Sequence, residues 1–291
     1  TAFRAGGVRR HRRLEGQGCE PSGMSDFQRF GLGTYQLTGP QCVESVRTAV
    51  EAGYDAIDTA QGYQNEALVR EGIEAAGRDP EELFVATKLQ TDNLSYDDAY
   101  DTAHESAARL GVDAIDLLYV HWPINSYDAK ETARALNDLV AEGTVDRVGL
   151  SNFRPDQLDE AREHLDVDIF AHQVECHPML QQEELREYAR EDGHWLVAYC
   201  PIARNQVADV DEIVEIAEAH DATPAQVSIA WLLAHDELAA IPKATSEAHI
   251  RDNLAATELE LTDEEVATID GLSEEHRIVD FEEAPWNQVD A

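Results

Sequence analysis

Eight short apolar segments alternate with stretches of helical periodicity over most of this 291-residue chain. The predicted strands cover Phe30–Tyr35, Ala56–Asp58, Leu83–Thr87, Ile115–Val120, Arg147–Leu150, Ile169–Val174, Leu196–Tyr199 and Leu238–Ile241. Nearly all-apolar strands are typical of parallel sheets that are covered on both faces. Eight of them alternating with helices predict an α/β fold, a (β/α)8 TIM barrel formed by one domain.

Residues with strong positional preferences mark the ends of several predicted helices. Pro40 opens the first helix, and Asn65 is a favourable N-cap for the second. Gly53 and Gly77 end these two helices, because glycine readily takes the left-handed conformation at a helix C-terminus. Further helices are expected from Ser95 to Leu110, near 128–143, from Pro155, and near 211–220, 224–235, 246–256 and 262–271.

A doubly wound sheet that binds a dinucleotide is the alternative for an alternating α/β pattern. Its fingerprint needs three glycines between the first strand and the helix that follows. Here Gly31 and Gly33 have no third glycine at the required spacing, and they come too early to open such a unit. The barrel is therefore the better prediction.

The chain is strongly acidic, with 59 acidic and 22 basic residues and a formal net charge of -37. The acidic residues are spread over the predicted helices, and only Lys88, Lys130 and Lys243 are lysines. Such a surface repels itself unless salt screens it, since the Debye length falls to about 3 Å at 1 M salt. We expect a protein from a halophilic, salt-accumulating cell. The charge also disfavours binding to nucleic acid or to an anionic membrane.

The beginning of the chain and its cysteines indicate a cytoplasmic location. No apolar run approaches the roughly 20 residues of a membrane span. Residues 1–23 carry five arginines without an apolar segment behind them, so no secretory signal is predicted. We expect 1–23 to be a disordered extension, with a start at Met24, and 24–291 to be a single domain. The four cysteines are too far apart for a zinc motif and favour a reducing compartment.

Polar side chains stand at the carboxyl ends of the predicted strands, where barrel enzymes place their active sites. Strand two ends at Asp58, and Tyr63 lies on the loop after it. Strand three ends at Lys88, and His121 follows strand four. The later strand ends carry Ser151, Asn152, Gln173, Glu175, Tyr199 and Lys243.

Lys88 is the most informative of these residues, because it follows an apolar strand in a chain that has almost no lysine. A buried ammonium needs a carboxylate partner, and Asp58 on the adjacent strand is the predicted one. Alone, the two residues describe an ordinary buried ion pair. Tyr63 and His121 are expected at the same end of the barrel as this pair. A catalytic site is therefore the stronger hypothesis.

Tyr63 is the predicted proton donor. Free tyrosine has a pKa of about 10, and the nearby ammonium is expected to lower this pKa by stabilising the phenolate. Tyr63 then donates a proton to a carbonyl oxygen as hydride reaches the carbon. His121, either neutral or sharing a proton in that hydrogen-bond network, orients and polarises the carbonyl. A metal-dependent lyase or isomerase would need clustered ligands, and Glu175 with His177 is too small a set, so no metal site is predicted.

These residues lie in ordered motifs that resemble the aldo-keto reductase family, with similarity from about Phe30 to Asn287. The chain is most similar to the prokaryotic type with short loops, that of 2,5-diketogluconate reductase. The motifs are Gly-Leu-Gly-Thr-Tyr at 31–35, Ile-Asp-Thr-Ala at 57–60, Thr-Lys-Leu at 87–89, His-Trp-Pro at 121–123, Gly-x-Ser-Asn-Phe at 149–153, Gln-Val-Glu-Cys-His-Pro at 173–178 and Ile-Pro-Lys at 241–243.

The resemblance implies a monomeric reductase of small carbonyl compounds that uses NADPH or NADH. The implied catalytic tetrad is Asp58, Tyr63, Lys88 and His121. Aromatic walls for the substrate are expected from Tyr35, Trp122 and Trp286. The implied cofactor residues are Gly33, Thr34, Ser151, Asn152, Gln173, Tyr199, Pro201, Lys243, Thr245, His249 and Asn253. Of these, Ser151, Asn152 and Gln173 are to hold the nicotinamide amide, with the Tyr199 ring stacked on the nicotinamide.

Three alternatives stay open at this point. The family commonly has an arginine where this chain has His249, and histidine lacks the bidentate grip on phosphate. NADPH preference is therefore weakened, and NADH is a second candidate cofactor. Trp286 either contacts substrate or belongs to a tail that folds over the barrel rim. A nucleotide-sensing regulatory subunit ranks below an enzyme, because all four tetrad positions are present.

Overall fold

The computed structural model describes residues 27–273 and 275–288. Eight parallel strands form one sheet in chain order. Their bounds are β1 Leu32–Gly33, β2 Ala56–Asp58, β3 Phe84–Leu89, β4 Leu117–Val120, β5 Val148–Ser151, β6 Ile169–Glu175, β7 Trp195–Tyr199 and β8 Leu238–Ala240. The predicted extension at 1–23 lies outside the described residues.

The two ends of the sheet meet, and the sheet closes into a barrel. A parallel bridge pairs Phe30 with Ala240. The backbone N–H of Gly31 donates to the carbonyl of Ala240 at 3.1 Å, and that of Gly33 donates to the carbonyl of Pro242 at 3.1 Å. The predicted (β/α)8 barrel is confirmed, and all its strands present their carboxyl ends to one mouth.

Helices cover the outside of the barrel. In the part of the chain that the structure describes they are α1 Gly39–Ala52, α2 Glu66–Ala75, α3 Tyr96–Leu110, α4 Ala129–Glu142, α5 Pro155–Arg162, α6 Glu183–Asp192, α7 Asp211–Ala219, α8 Pro224–Ala234, α9 Glu247–Ala255 and α10 Asp263–Asp270. None of them is both long enough and apolar enough to cross a membrane.

Asn65 stands at the N-cap position of α2, as predicted, but its side chain does not cap the helix. Its amide nitrogen donates to the carbonyls of Thr34 at 3.0 Å and Leu37 at 3.1 Å. Its oxygen accepts a hydrogen bond from the Thr59 hydroxyl at 2.6 Å. Asn65 therefore ties the loop after β2 to the loop after β1.

Aromatic rings close the barrel at the end opposite the mouth. Phe27 contacts the rings of Phe84, Phe170 and Trp195, with ring centroids 5.2–5.3 Å apart. Above this layer, the interior is filled by Ala86, Leu117, Tyr119, Ala171, Val197 and Ala239. Because the interior is packed from this end, the open space of the barrel lies at the carboxyl ends of the strands.

Candidate active site

The predicted ion pair between β3 and β2 is present. Lys88 is fully buried, and its ammonium lies 2.5 Å from Asp58 Oδ1 and 2.7 Å from the carbonyl oxygen of Thr59. The second oxygen of Asp58 accepts a hydrogen bond from Gln173 Nε2 at 2.8 Å. Burial lowers the pKa of Lys88, and the carboxylate of Asp58 opposes that shift. The pair is thus held by partners on β2 and β6.

Tyr63 lies beside this pair, on a single 3-10 turn that spans Gln61–Tyr63. The Lys88 ammonium is 5.3 Å from the centroid of the Tyr63 ring. The ring of His121 is 5.7 Å from that of Tyr63 and inclined to it by 76°. The structure therefore brings together all four residues that the sequence placed at the ends of strands two to four.

The expectation that Lys88 lowers the pKa of Tyr63 is wrong. Burial raises the pKa of Tyr63 well above its usual value, and the negative charge of Asp58 adds to this shift. The ammonium of Lys88 does not offset this shift. Tyr63 is consequently protonated at neutral pH, which is the state that a proton donor requires.

His121 is neutral in the structure, which is one of the two states that the sequence left open. Burial lowers its pKa to about 3, and the charge of Lys88 acts in the same direction. A neutral imidazole has one ring nitrogen that donates and one that accepts a hydrogen bond. It can therefore orient a carbonyl group without adding a charge to the site.

A cavity of about 390 Å³ opens beside Tyr63. Asp58 and Tyr63 form one wall, and Lys243 lies at another part of the lining. Six of the predicted cofactor residues line the cavity: Gly33, Thr34, Gln173, Tyr199, Pro201 and Lys243. The lining combines charged side chains with the aromatic side chains of Tyr63 and Tyr199, which suits a ligand that has polar groups and a flat ring.

Ser151 and Asn152 are buried next to the cavity and bonded to its walls. The Ser151 hydroxyl donates to the carbonyl of Gln173 at 2.9 Å. The Tyr199 hydroxyl donates to Asn152 Oδ1 at 2.9 Å, and Asn152 Nδ2 donates to the carbonyl of His121 at 3.0 Å. Asn152 therefore joins the end of β7 to the end of β4.

A model of the Aldo/keto reductase family matches residues 29–274. This match covers the barrel and all four residues of the tetrad. The chain belongs to the aldo/keto reductase family. It is thus an oxidoreductase that depends on a nicotinamide cofactor and reduces carbonyl groups.

Named members of the family are similar over nearly their full length. Glyoxal reductase of Bacillus subtilis (strain 168) is 36% identical over 250 residues, which are 86% of this chain and 90% of that protein. Methylglyoxal reductase DkgB of Escherichia coli O157:H7 is 35% identical over 253 residues, 86% of this chain and 94% of that protein. The solved structure of MGS-M4, an aldo-keto reductase from a Medee basin deep-sea metagenome library, superposes with a TM-score of 0.83 at 32% identity, covering 88% of this chain and 94% of that one.

Three predicted cofactor residues of this aldo/keto reductase lie apart from the cavity. Thr245 and His249 are exposed on the segment that leads from β8 into α9, and Asn253 is buried on that helix. Among the described residues that line the cavity, Lys243 is the nearest to them in the chain.

Sequence reasoning missed Gln61, which holds the turn that carries Tyr63. Its buried amide nitrogen donates to the carbonyl of Thr102 and to the Ser106 hydroxyl, both at 3.1 Å. Its oxygen accepts from the backbone N–H of Gln90 at 3.0 Å. A glutamine in a loop resembles an ordinary surface residue, so nothing in the sequence pattern pointed to it.

Arg204 is a second residue that the sequence did not single out. It lines the cavity, in a loop after β7 where Ala203, Arg204 and Asn205 have φ values of 46°, 51° and 73°. The argument that selected Lys88 does not extend to Arg204, because this side chain is exposed and most of the 22 basic residues are arginines.

The aromatic residues expected to contact substrate surround the mouth. Tyr35 is 50% exposed, and its ring centroid lies 5.2 Å from that of Tyr63. Trp122 packs against Trp286 at 5.6 Å and against Phe281 at 4.9 Å. Trp286 thus belongs to a tail that folds over the rim, and it reaches the mouth through its contact with Trp122.

The tail is attached to the barrel through Glu175. This carboxylate is buried and accepts hydrogen bonds from the backbone N–H groups of Ile278 at 2.5 Å and Val279 at 2.7 Å. His177 Nε2 lies 3.0 Å from the same carboxylate. Glu175 and His177 therefore have a structural role here, and no three potential ligands within 27–273 and 275–288 are grouped for a metal ion.

Proposed function

We propose that this aldo/keto reductase converts small aldehydes, ketoaldehydes and diketones to alcohols, with NADPH as hydride donor and Tyr63 as proton donor. The observation that carries the proposal is the protonated Tyr63 at the wall of the cavity, between the Lys88–Asp58 pair and neutral His121. Relatives named for the reduction of glyoxal and methylglyoxal support a small dicarbonyl substrate.

Each tetrad residue has one task in this mechanism. The bound nicotinamide supplies hydride to the carbonyl carbon. Tyr63 donates its hydroxyl proton to the carbonyl oxygen and is reprotonated from water, so the product is the neutral alcohol. His121 orients the carbonyl by a hydrogen bond. The Lys88–Asp58 pair lies beside the Tyr63 ring and fixes its position.

The chain offers groups for each part of the cofactor. We assign Gln173, Asn152 and Ser151 to the nicotinamide amide, and the face of the Tyr199 ring to the nicotinamide itself. Gly33, Thr34 and Pro201, which line the cavity, are assigned to the rest of the cofactor. Lys243, Thr245, His249 and Asn253 are assigned to the adenosine end. This end includes the N-terminus of α9, which favours phosphate.

Cofactor preference is expected to depend on His249. Replacing His249 by arginine should lower the Kd for NADPH by about tenfold, because a guanidinium adds a charge-assisted, bidentate contact to the 2′-phosphate. The Kd for NADH, which lacks that phosphate, should stay within about twofold of the parent value. Titration by protein fluorescence measures both constants. An equal gain for NADH would place His249 away from the 2′-phosphate.

The proposed function is tested by following the oxidation of NADPH and of NADH with a panel of carbonyl compounds in high KCl. The panel contains methylglyoxal, phenylglyoxal, an aliphatic aldehyde and a sugar-derived diketone. Turnover of the small dicarbonyls is the expected result. Tight binding of NADPH without turnover of any member would favour the regulatory subunit instead.

We further propose that the protein is a monomer that works in a salt-rich cytoplasm. The proposal rests on the net charge of -37 and on the two buried thiols, Cys42 and Cys176. Raising KCl from 0.1 to 2 M is then expected to increase the Tm by about 10 °C or more, since salt screens the repulsion between carboxylates. Calorimetry at several KCl concentrations measures this. A Tm that is unchanged or falls with KCl would contradict a halophilic origin.

A further inference from the structure

His172 is a buried residue next to the cavity that the mechanism above does not use. It precedes Gln173 on β6 and is fully buried. Its Nε2 accepts a hydrogen bond from the backbone N–H of Phe153 at 3.2 Å. Phe153 follows directly after Asn152, so His172 contacts the loop after β5 from the side away from the cavity.

The hydrogen bonds define the tautomer of His172. Burial lowers its pKa well below the usual value, so the ring is neutral and carries one proton. Because Nε2 accepts from Phe153, that proton resides on Nδ1. Within the described residues, His172 Nδ1 has no hydrogen-bond partner.

His194 carries the complementary arrangement. Its Nδ1 lies 2.8 Å from a carboxylate oxygen of Asp192, and the same oxygen accepts from Arg162. A carboxylate that accepts both bonds makes His194 Nδ1 the donor, so Nε2 is left as an acceptor. His194 Nε2 also has no partner in the described part of the chain, and the two imidazole rings lie 6.3 Å apart at 75°. A buried donor thus neighbours a buried acceptor.

The hydrogen bond that His172 accepts from Phe153 affects the conformation of Asn152, the preceding residue. Asn152 has a φ of 64°, in the left-handed region that asparagine tolerates better than most residues. Its backbone N–H donates to the carbonyl of Gln173 at 3.0 Å. The next backbone N–H, that of Phe153, is bonded to His172. Both N–H groups that fix this strained turn are therefore bonded to neighbouring residues of β6.

We propose that His172, held as the Nδ1–H tautomer beside His194, is a positioning residue that sets the conformation of Asn152. Asn152 in turn bonds the carbonyl of His121 and the hydroxyl of Tyr199. Loss of the His172 acceptor leaves a buried N–H unsatisfied. The turn at Asn152 then relaxes. The Asn152 side chain, which is assigned to the nicotinamide amide, moves with it. The inference rests on the proposed function in that last step.

The experiment compares three variants in high KCl. His172→Leu removes the acceptor, and His172→Gln retains one on a neutral side chain. His235→Leu is the control, because His235 is another largely buried histidine outside the cavity lining, whose Nε2 lies 3.3 Å from Asp270 Oδ1. For each variant we measure Tm, kcat, the Kd for NADPH, and the Kd for adenosine 2′,5′-bisphosphate, which has no nicotinamide.

His172→Leu is expected to raise the Kd for NADPH by about tenfold, the ratio that corresponds to one lost hydrogen bond. The Kd for adenosine 2′,5′-bisphosphate should not change. His172→Gln should recover most of the affinity, and His235→Leu should lower Tm alone. If His172→Leu lowers Tm but leaves kcat and both Kd values at the parent level, its role is merely structural and the proposal is overturned.

The tautomer gives a second readout that does not involve the cofactor. Long-range ¹H–¹⁵N correlation spectra, assigned with His172→Gln, should place the proton of the neutral ring on Nδ1. A proton on Nε2 would exclude the bond from Phe153 and overturn the proposal. If the parent protein binds no NADPH at all, the proposed function fails, and the tautomer still decides whether His172 holds the turn.

Discussion

Replacing Tyr63 by phenylalanine is expected to lower kcat for carbonyl reduction by about 10²–10⁴, the range that positioned acid–base groups contribute. The variant removes one oxygen atom and retains the ring that packs against His121 and Tyr35. The Kd for NADPH should therefore stay close to the parent value. Single-turnover measurement of NADPH oxidation gives the rate constant of the chemical step.

The control for this variant is Tyr100→Phe, which removes an exposed hydroxyl on α3, outside the cavity lining, that donates to Glu142 at 2.5 Å. We expect it to change kcat by less than about threefold, because an exposed hydroxyl makes little net contribution. Turnover by Tyr63→Phe at the rate of the parent would assign the proton to another donor. The same outcome would leave the fold and the family membership untouched.

The pH dependence of the parent enzyme follows from the same two residues. The pKa of Tyr63 is raised by burial and that of His121 is lowered to about 3. Between these limits Tyr63 is protonated and His121 is neutral, so kcat for reduction should be level from about pH 6 to 9. Oxidation of an alcohol needs the phenolate, so its rate should rise with pH over that range.

Lys88→Met is the second variant with a large expected effect, and it acts on stability as well as on activity. The ammonium is fully buried and pairs with Asp58. Without it, a buried carboxylate keeps only the hydrogen bond from Gln173. Breaking a buried pair in this way costs about 3–5 kcal/mol of the free energy of unfolding. Urea unfolding in 2 M KCl measures the loss.

The double variant Asp58→Asn with Lys88→Met separates the two effects. With the carboxylate gone as well, most of the lost stability should return, because no buried charge is left unpaired. Activity should stay low, since no ammonium then lies against the Tyr63 ring to hold it. A double variant as unstable as Lys88→Met, or one with full activity, would contradict the role assigned to the pair.

The barrel could be predicted because its eight strands are apolar and its helices are punctuated by proline and glycine. The limits of the strands were less certain. The first strand was expected over Phe30–Tyr35, but only Leu32–Gly33 pairs regularly with β2. Helix α6 was not predicted, since Leu185, Tyr188 and Ala189 are its few apolar residues among charged neighbours. These three residues lie on one face of the helix, but they are too few to predict it.

The tetrad could be predicted because strand ends converge and because lysine is rare in this chain. Its electrostatics could not, since the pKa of Tyr63 depends on how deeply the ring is buried and on the charge of Asp58. The hydrogen bonds by which Gln61 and His172 hold the site could not be predicted from the sequence either. Each contacts residues that are distant in the chain, and neither stands at the end of a strand.

Hydrogen-bond register fixes where the tetrad residues point. Ala86 of β3 pairs with Asp58 of β2, and Lys88 of β3 pairs with Tyr119 of β4. Alternate residues of a strand face the same side, so inserting one residue before Lys88 would turn its ammonium towards the helices. Loops after the strands have no such constraint. Lineages of this enzyme can therefore change substrate by insertions and deletions at the rim, while the lengths of the strands that carry the proton chemistry stay fixed.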